Sequence, residues 1–241
     1  MIRIRSAAHS DIGRVREENE DRYLHDENAH LYGVADGVGG LPGGAEAAQL
    51  SVEAVDELVR ATPTGATPDL VQLTRQTNQR VHDLGLKLSP VMGLGSTLTF
   101  GHIWGSTLQI AHVGDSRCYG LREGKLEMLT EDHSVENEAR QRRAKGEVVH
   151  YHEANRNALT RCIGQPTPLN VDLISRPLEP GDRYFFCTDG VTRMIRDSEL
   201  AEMIAKPGEP ETVLRAIIDL AVRRGGPDNA TGVLLYIDGL E

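Results

Sequence analysis

The chain opens with alternating apolar and charged residues, Ile-Arg-Ile-Arg over 2–5, a period of two that is typical of a half-buried strand. Short apolar runs bounded by turn residues predict further strands near 22–25 and at 31–35. The stretches 43–61 and 69–88 instead carry apolar residues at helical spacing, and each stops at a Pro-containing turn. These two stretches therefore predict a pair of helices packed on one side of a sheet.

The amino-acid composition of the chain changes after this helical pair. Residues 96–129 are rich in β-branched and aromatic side chains and are broken by turns, which predicts an antiparallel meander. Residues 134–146 form a polar helical pattern, and 147–165 are irregular. The remaining predicted elements are strands at 171–178 and 182–190, two or three helices within 190–205 and 211–224, and a last strand at 229–238.

Helix pairs separated by runs of antiparallel strands predict an α+β fold in which two sheets are flanked by helices. No linker, like-charge block or internal repeat interrupts the 241 residues, so a single domain over 1–241 is expected.

Charge and cysteine content narrow the classes of function. The chain has 36 acidic and 26 basic residues, a net charge of −10, which argues against general nucleic-acid binding because that needs a basic surface. No apolar run approaches the roughly 18 residues of a membrane span, and the N-terminus lacks a signal-peptide pattern. Cys118, Cys162 and Cys187 are widely spaced and odd in number, so free thiols in a reducing cytoplasm are expected.

Acidic residues collect at the ends of the predicted strands, and most have a glycine within two positions. They are Glu20, Asp21, Asp36, Asp115, Asp189 and Asp228. Any one of these acids has a simpler explanation, namely that it only forms a turn, because Asp and Gly are common turn residues. If the strand ends converge, however, the carboxylates share one site and raise one another's pKa or require cations. A set of oxygen ligands, with no Cys or His at the spacing of a metal-ligand pair, favours Mg²⁺ or Mn²⁺ over zinc.

Arg16 lies four and five residues before the first two of these acids. Its guanidinium offers a planar fork for two phosphate oxygens, which a cluster of carboxylates alone would repel. The combination of metal ions with one arginine suggests a phosphoester substrate. A surface ion pair with Glu17 or Glu20 is the alternative for this residue.

Eight short motifs in the chain occur in the order seen in one enzyme family. They are VREENEDRY, VADGVGG, GSTLTF, HVGDSR, EDHS, LTRCIG, FFCTDGVTRMI and GGPDNATGVLL. Any one of them is weak, but together they span about residues 6–238. In this respect the chain resembles the metal-dependent protein serine/threonine phosphatases of the protein phosphatase 2C type, in its bacterial form.

The resemblance implies a four-layer α/β/β/α sandwich with a binuclear Mg²⁺ or Mn²⁺ centre at one end. It implies that Asp36 bridges both ions and that the Gly37 carbonyl binds one of them. It makes Asp189 and Asp228 ligands of the other ion. Asp115 resembles a ligand, shared with Asp189, of a third and weaker ion.

The remaining site residues are also implied by their motifs. Glu20 and Asp21 resemble acids that hold metal-bound water, and Arg16 matches the phosphate-binding arginine. Asn229 is expected to orient Asp228 or the site water. Hydroxide that bridges the two metals would attack phosphorus directly, so no nucleophilic side chain is needed.

Two positions depart from the family pattern. Many eukaryotic members have a histidine after the Asp-Gly as a candidate proton donor, whereas this chain has Val38, as bacterial members often have an apolar residue there. Metal-bound water would then protonate the leaving group. An acid is common after the TDGVT sequence, whereas this chain has Arg193, which alters substrate preference or is a neutral surface change.

Residues at about 136–165 match the family's variable flap beside the active site. Arg140, Arg142, Arg143 and Lys145 could meet acidic residues around a phosphosite, and a solvated helix face is the alternative. His150 and His152 could approach a metal, but their spacing fits no standard ligand pair, so a surface loop is favoured.

The leading interpretation is a monomeric cytoplasmic hydrolase that removes phosphate from phosphoserine and phosphothreonine on proteins and opposes a cognate serine/threonine kinase in signalling. No nucleic-acid or membrane partner is expected. A catalytically inactive relative that serves as a scaffold is an alternative, disfavoured because the metal acids are all present. A small phosphoester or a phosphorylated regulatory domain as substrate is another.

Overall fold

A computed structural model describes residues 2–63, 65–166 and 168–240. Within these residues the chain forms ten strands and six α-helices. The strands are β1 (Ile2–Asp11), β2 (Asp21–Asp26), β3 (Leu31–Asp36), β4 (Leu98–Trp104), β5 (Thr107–Val113), β6 (Arg117–Arg122), β7 (Lys125–Met128), β8 (Asp172–Pro177), β9 (Arg183–Cys187) and β10 (Ala230–Leu240). The helices are α1 (Gly44–Arg60), α2 (Leu70–Leu88), α3 (Val135–Ala144), α4 (Asp189–Thr192), α5 (Asp197–Ala205) and α6 (Pro210–Arg223).

The strands form two antiparallel sheets that pack face to face. The first sheet has the order β1-β10-β9-β6-β7 and the second has the order β2-β3-β4-β5-β8. Tyr32, Phe186 and Val233 belong to the apolar layer between the sheets, and none of them is exposed to solvent. Helices α1 and α2 cover the second sheet, and α4, α5 and α6 cover the first. The predicted four-layer sandwich is therefore confirmed.

The helices on the second sheet form where their sequences predict them. In α1, Ala48, Val52 and Val55 recur at helical spacing and are buried against the sheet. Helix α2 begins after Asp69, whose side chain accepts a hydrogen bond of 3.0 Å from the Gln72 amide. This cap satisfies one of the free amides at the helix start.

The predicted meander over 96–129 is wrong in one respect, because its strands divide between the two sheets. Strands β4 and β5 pair in the second sheet, whereas β6 and β7 pair in the first. The chain crosses between the sheets at 114–116, where Gly114 has a φ of +115° that few other residues adopt. Both sheets bury apolar side chains, so strand periodicity alone does not separate them. This crossing places Asp115 at the shared edge.

The region after β9 contains two helices, α4 and α5, which with α6 make three, the larger of the two predicted numbers. The first of them begins at Asp189, so the predicted strand over 182–190 is too long at its end. Among the helices of the described residues, none combines the length and apolar character of a membrane span.

Candidate active site

The acids at the strand ends meet at one edge of the two sheets. Asp36 is the last residue of β3 and pairs directly with Asp21, the first residue of β2. Asp115 follows β5, Asp189 begins α4 just after β9, and Asp228 precedes β10. A cavity of about 570 Å³ opens above them, and all of these acids except Asp21 line it. The structure therefore brings together carboxylates that lie up to about 200 residues apart in the chain, as the strand-end pattern predicts.

Burial and mutual repulsion raise the pKa values of these acids. Burial, followed by the charges of Asp21 and Asp189, raises the pKa of Asp36 well above its usual range. Burial is also the main cause for Asp21 and Asp115, whose pKa values rise to about 7, and for Asp189, whose pKa rises to about 6. Near neutral pH the cluster is therefore stabilised by bound protons or by added cations.

The donor atoms suit a hard divalent cation. Among the described residues, Asp21 Oδ1 and Asp189 Oδ1 are buried and have no hydrogen-bond partner. A buried carboxylate oxygen without a partner is costly unless a cation or water satisfies it. Only oxygen donors face the cavity from these acids, which favours Mg²⁺ or Mn²⁺ over zinc.

The acids are not, however, arranged as a finished metal site. No three of the described Asp, Glu, His or Cys side chains are close enough to hold one ion together. Two of the carboxylates that face the cavity, Asp189 and Asp228, are bound by two arginines. A cation would compete with these arginines for the two carboxylates.

Arg16 is one of these arginines. Its Nη2 donates a hydrogen bond of 2.9 Å to Asp228 Oδ2, so it does not form the alternative surface pair with Glu17 or Glu20. Gly39 lies against the guanidinium, and a Cβ at that position would be 3.1 Å from Nη1. Arg16 therefore reaches the cavity because glycine leaves room for it.

Arg193 is the second arginine of the cavity. It forms ion pairs with Asp189 and with Asp228, the latter at 3.3 Å from Nη1 to Oδ2. From the sequence, Arg193 is notable only because the family commonly has an acid at this position. Its contacts show that it lies among the acids.

The backbone around Gly37 is packed too closely for a side chain. A Cβ on Gly37 would lie 2.5 Å from the carbonyl of Gly44, at the start of α1. A Cβ on Gly44 would in turn lie 2.6 Å from Oε1 of Glu20, which is partly buried beside the helix start. Burial raises the pKa of Glu20 as well. Two glycines thus allow Glu20 and the end of β3 to approach each other.

The Asn229 side chain binds the loop that carries Arg16. Nδ2 donates to the carbonyls of Ile12 and Glu18 at 2.9 and 3.0 Å, and Oδ1 accepts from the Glu20 amide at 2.8 Å. These contacts give the side chain a role in holding this loop, beside its expected role toward Asp228 or a site water, which stays a prediction. Only the Asn229 backbone amide contacts Asp228 Oδ1, at 3.0 Å.

We expect Asn229→Ala to lower the free energy of unfolding by about 2–4 kcal/mol, because it leaves three partly buried backbone groups of the 12–20 loop without their side-chain partner. Urea unfolding measured in EDTA tests this value apart from any metal effect. Asn229→Asp keeps the acceptor but loses both donors, so it should also destabilise the protein. An Asn229→Ala variant as stable as the native chain would contradict the loop-holding role.

Several residues that support the site were not identified from the sequence. The Asp36 amide donates to Thr97 Oγ1 at 2.9 Å, and Thr97 Oγ1 shares a hydrogen bond of 2.7 Å with Ser116 Oγ. Thr188 donates to Asp21 Oδ2 at 2.8 Å and so links the two sheets. The sequence did contain a signal for these residues, because each has a hydroxyl group within or beside an apolar strand. A buried hydroxyl group needs a hydrogen-bond partner.

A buried histidine also supports the Asp115 turn. His133 Nδ1 accepts a hydrogen bond from the Gly114 amide at 3.0 Å, so Nε2 carries the proton that faces Asp172 Oδ2 at 3.0 Å. Arg161 binds the other oxygen of Asp172 at 2.7 Å. This chain of contacts connects the Asp115 turn to the region predicted as a flap.

The basic flap residues do not line the cavity. Arg142 pairs with Glu147 at 2.7 Å, and Arg143 donates to the Val149 carbonyl. His150 and His152 are exposed, which agrees with the surface-loop alternative. The residues of the predicted flap that do line the cavity are Asn157, Ala158, Leu159 and Cys162.

Neither Val38 nor Cys187 offers a reactive group to the site. Val38 lines the cavity with an apolar side chain, and its amide donates to the Gly95 carbonyl at 2.9 Å. Cys187 is fully buried, and burial raises the pKa of its thiol. Cys187 is therefore a core residue.

Comparisons with known proteins agree with this geometry. The family model described as protein phosphatase 2C matches residues 5–230. The serine/threonine protein phosphatase PstP of Mycobacterium tuberculosis is 34% identical over 236 residues, which cover 96% of this chain and 44% of PstP. A putative protein phosphatase 2C-type protein of Streptococcus pyogenes is 33% identical over 237 residues, covering 94% of this chain and 95% of the relative. The chain thus spans less than half the length of PstP.

A solved structure shares the fold. The catalytic domain of PstP, in complex with two manganese ions, matches with a TM-score of 0.85 and 31% identity, covering 99% of this chain and 100% of that chain. Since the family model covers most of the chain and these relatives exceed 30% identity, the chain belongs to the protein phosphatase 2C family.

Proposed function

We propose that this chain hydrolyses phosphoserine and phosphothreonine on proteins at a centre of two Mg²⁺ or Mn²⁺ ions. The observation that carries the proposal is the convergence of Asp36, Asp189 and Asp228 on one cavity, with Arg16 bound to the last of them. The named activities of PstP and its relatives, and the two manganese ions of the PstP complex, support it.

The acids have distinct tasks in this proposal. Asp36 would hold both ions, the carbonyl of Gly37 would hold one of them, and Asp189 and Asp228 would hold the other. Glu20 and Asp21 would orient water at the centre. When bound, the two cations supply an activated water and positive charge for the phosphoryl group. The chain's own residues position these partners, and none of the cavity acids needs to attack phosphorus.

Arg16 is the phosphate-binding group in this proposal. Its guanidinium reaches the cavity beside Gly39 and is more than one third exposed, so it can exchange Asp228 for an incoming phosphate. A planar fork that donates two parallel hydrogen bonds suits a phosphoryl group with charge on its outer oxygens. The open cavity of about 570 Å³ accommodates a side chain presented by another protein.

The leaving alkoxide requires a proton that Val38 cannot give. Water held at the centre would supply it in this proposal, because the described cavity lining contains no histidine. A cognate serine/threonine kinase would supply the phosphorylated substrate. The three free cysteines agree with action in a reducing cytoplasm, and the protein is expected to act as a monomer.

The catalytically inactive alternative is disfavoured by the site itself. All of the metal acids are present and converge, and no basic or apolar residue replaces one of them. A scaffold would not need unpartnered carboxylate oxygens in its interior.

The test is phosphate release from phosphoserine and phosphothreonine peptides and from a generic aryl phosphate. With Mn²⁺ or Mg²⁺ we expect hydrolysis of both classes, with a larger kcat/KM for the peptides, and loss of activity in EDTA. Hydrolysis of the aryl phosphate alone would favour a small phosphoester as substrate. A metal-replete chain that hydrolyses none of them would favour the inactive relative.

We expect Arg16→Ala to raise KM for a phosphothreonine peptide by about tenfold or more, because loss of the fork removes about 1.4 kcal/mol or more of phosphate binding. Steady-state kinetics with saturating Mn²⁺ measures this change. Arg14→Ala is the matched control, since Arg14 is exposed in the same loop and lies outside the cavity. Equal KM values for the two variants would remove Arg16 from substrate binding.

A further inference from the structure

Arg193 holds a position that the proposed reaction does not use. It follows α4 directly and lies four residues after Asp189, so one helical turn places its guanidinium against that carboxylate. The same guanidinium reaches Asp228 Oδ2 at 3.3 Å. One side chain therefore binds two of the carboxylates proposed as metal ligands.

The surroundings of Arg193 distinguish it from Arg16. Arg16 forms its ion pair with Asp228 alone, whereas Arg193 contacts Asp189 as well. Burial raises the pKa of Asp115, and the nearby positive charge of Arg193 acts against that rise. The positive charge of Arg193 therefore lies among Asp115, Asp189 and Asp228. The third ion was expected between Asp115 and Asp189.

A guanidinium and a divalent cation compete for a carboxylate, because both are attracted by its negative charge and repel each other. Asp189 Oδ2 and Asp228 Oδ2 are both engaged by arginine, whereas Asp189 Oδ1 has no hydrogen-bond partner among the described residues. Attraction between a carboxylate and an arginine at a partly buried site opposes any rearrangement that separates them.

We propose that Arg193 is a tethered competitor of the metal, which takes the place of the third ion and competes with divalent cations for Asp189 and Asp228. The inference rests on the proposed two-ion centre. It predicts that the chain binds two divalent ions and that its metal affinity is lower than its acids alone would give. The metal dependence of this protein is then set by one side chain.

Calorimetric titration with Mn²⁺ alone tests this proposal without substrate. We expect the native chain to bind two ions, and Arg193→Ala to bind Mn²⁺ about tenfold tighter or more. Mn²⁺ should also raise the thermal midpoint of the variant more than that of the native chain, because tighter binding gives greater stabilisation. Arg215→Ala is the control for lost positive charge, since Arg215 is exposed on α6 and pairs only with Glu211 among the described residues.

Two results would overturn the inference. One is an affinity of Arg193→Ala that equals or falls below that of the native chain, and the other is three ions bound by the native chain. A native chain that binds no Mn²⁺ would overturn the proposed function instead. Arg193→Gln keeps a polar side chain without the positive charge and carries the same expectation, so it replaces the alanine variant if that variant does not unfold cooperatively in EDTA.

Discussion

Asp36→Asn is expected to hydrolyse a phosphothreonine peptide at least about 100-fold more slowly than the native chain, a loss of about 2.7 kcal/mol of transition-state stabilisation. Asparagine has nearly the same shape but lacks the charge needed to hold two cations. Burial and the charges of four neighbouring carboxylates raise the pKa of Asp36, so this acid lies among the other acids of the cluster. Steady-state kinetics with saturating Mn²⁺ measures the loss.

Asp26→Asn is the matched control for this substitution. Asp26 ends β2 at the opposite end from Asp21, and its Oδ1 accepts from the Asn28 amide, as an asparagine oxygen also can. We expect the control to keep nearly full activity. In EDTA, Asp36→Asn should be at least as stable as the native chain, because it removes one repelling charge from the cluster. A folded Asp36→Asn variant that keeps more than about a tenth of the activity would contradict the bridging role.

The metal-free protein is expected to lose stability as the pH rises from about 5 to about 8. The pKa values of Asp21 and Asp115 rise to about 7 in the folded state, and that of Asp189 to about 6, against an ordinary value of 3.8. Between the unfolded and folded pKa values the native state binds more protons than the unfolded state, so each rise in pH favours unfolding. The stabilisation is present at low pH and is lost as these folded-state groups ionise.

Thermal unfolding in EDTA at several pH values measures this effect. We expect a fall in the midpoint of more than about 5 °C across that range, because about 2 kcal/mol is worth that much in a domain of this size. Mn²⁺ should reverse the fall, since a cation replaces the protons and binds better as they leave. A midpoint in EDTA that is constant or rises with pH would contradict the mutual repulsion of the acids.

The sequence predicted the acids of the site because each of them marks the end of a strand. Asp36 and Asp189 follow apolar runs that can be recognised without a structure, and antiparallel sheets bring such ends to common edges. The capped helix after Asp69 was predictable for a similar reason, because the signal is local. Local patterns were sufficient for these features.

Contacts between distant segments could not be predicted in the same way. The partners of Asn229 lie in the loop over 12–20, more than 200 residues away, and they depend on the exact path of that loop. The ion pairs of Arg193 depend on the turn of α4, whose first residues were predicted as the end of a strand. The crossing at 114–116 was missed because strands of both sheets are rich in buried apolar residues.

The central claim is that the carboxylates at this sheet edge hold two divalent cations. Anomalous diffraction at the manganese edge, from crystals of the native chain grown with Mn²⁺, tests it most directly. The account predicts two peaks about 3.5–4 Å apart, both in contact with the Asp36 carboxylate. Crystals in which Mn²⁺ binds elsewhere, while Asp36 contacts no ion, would contradict it.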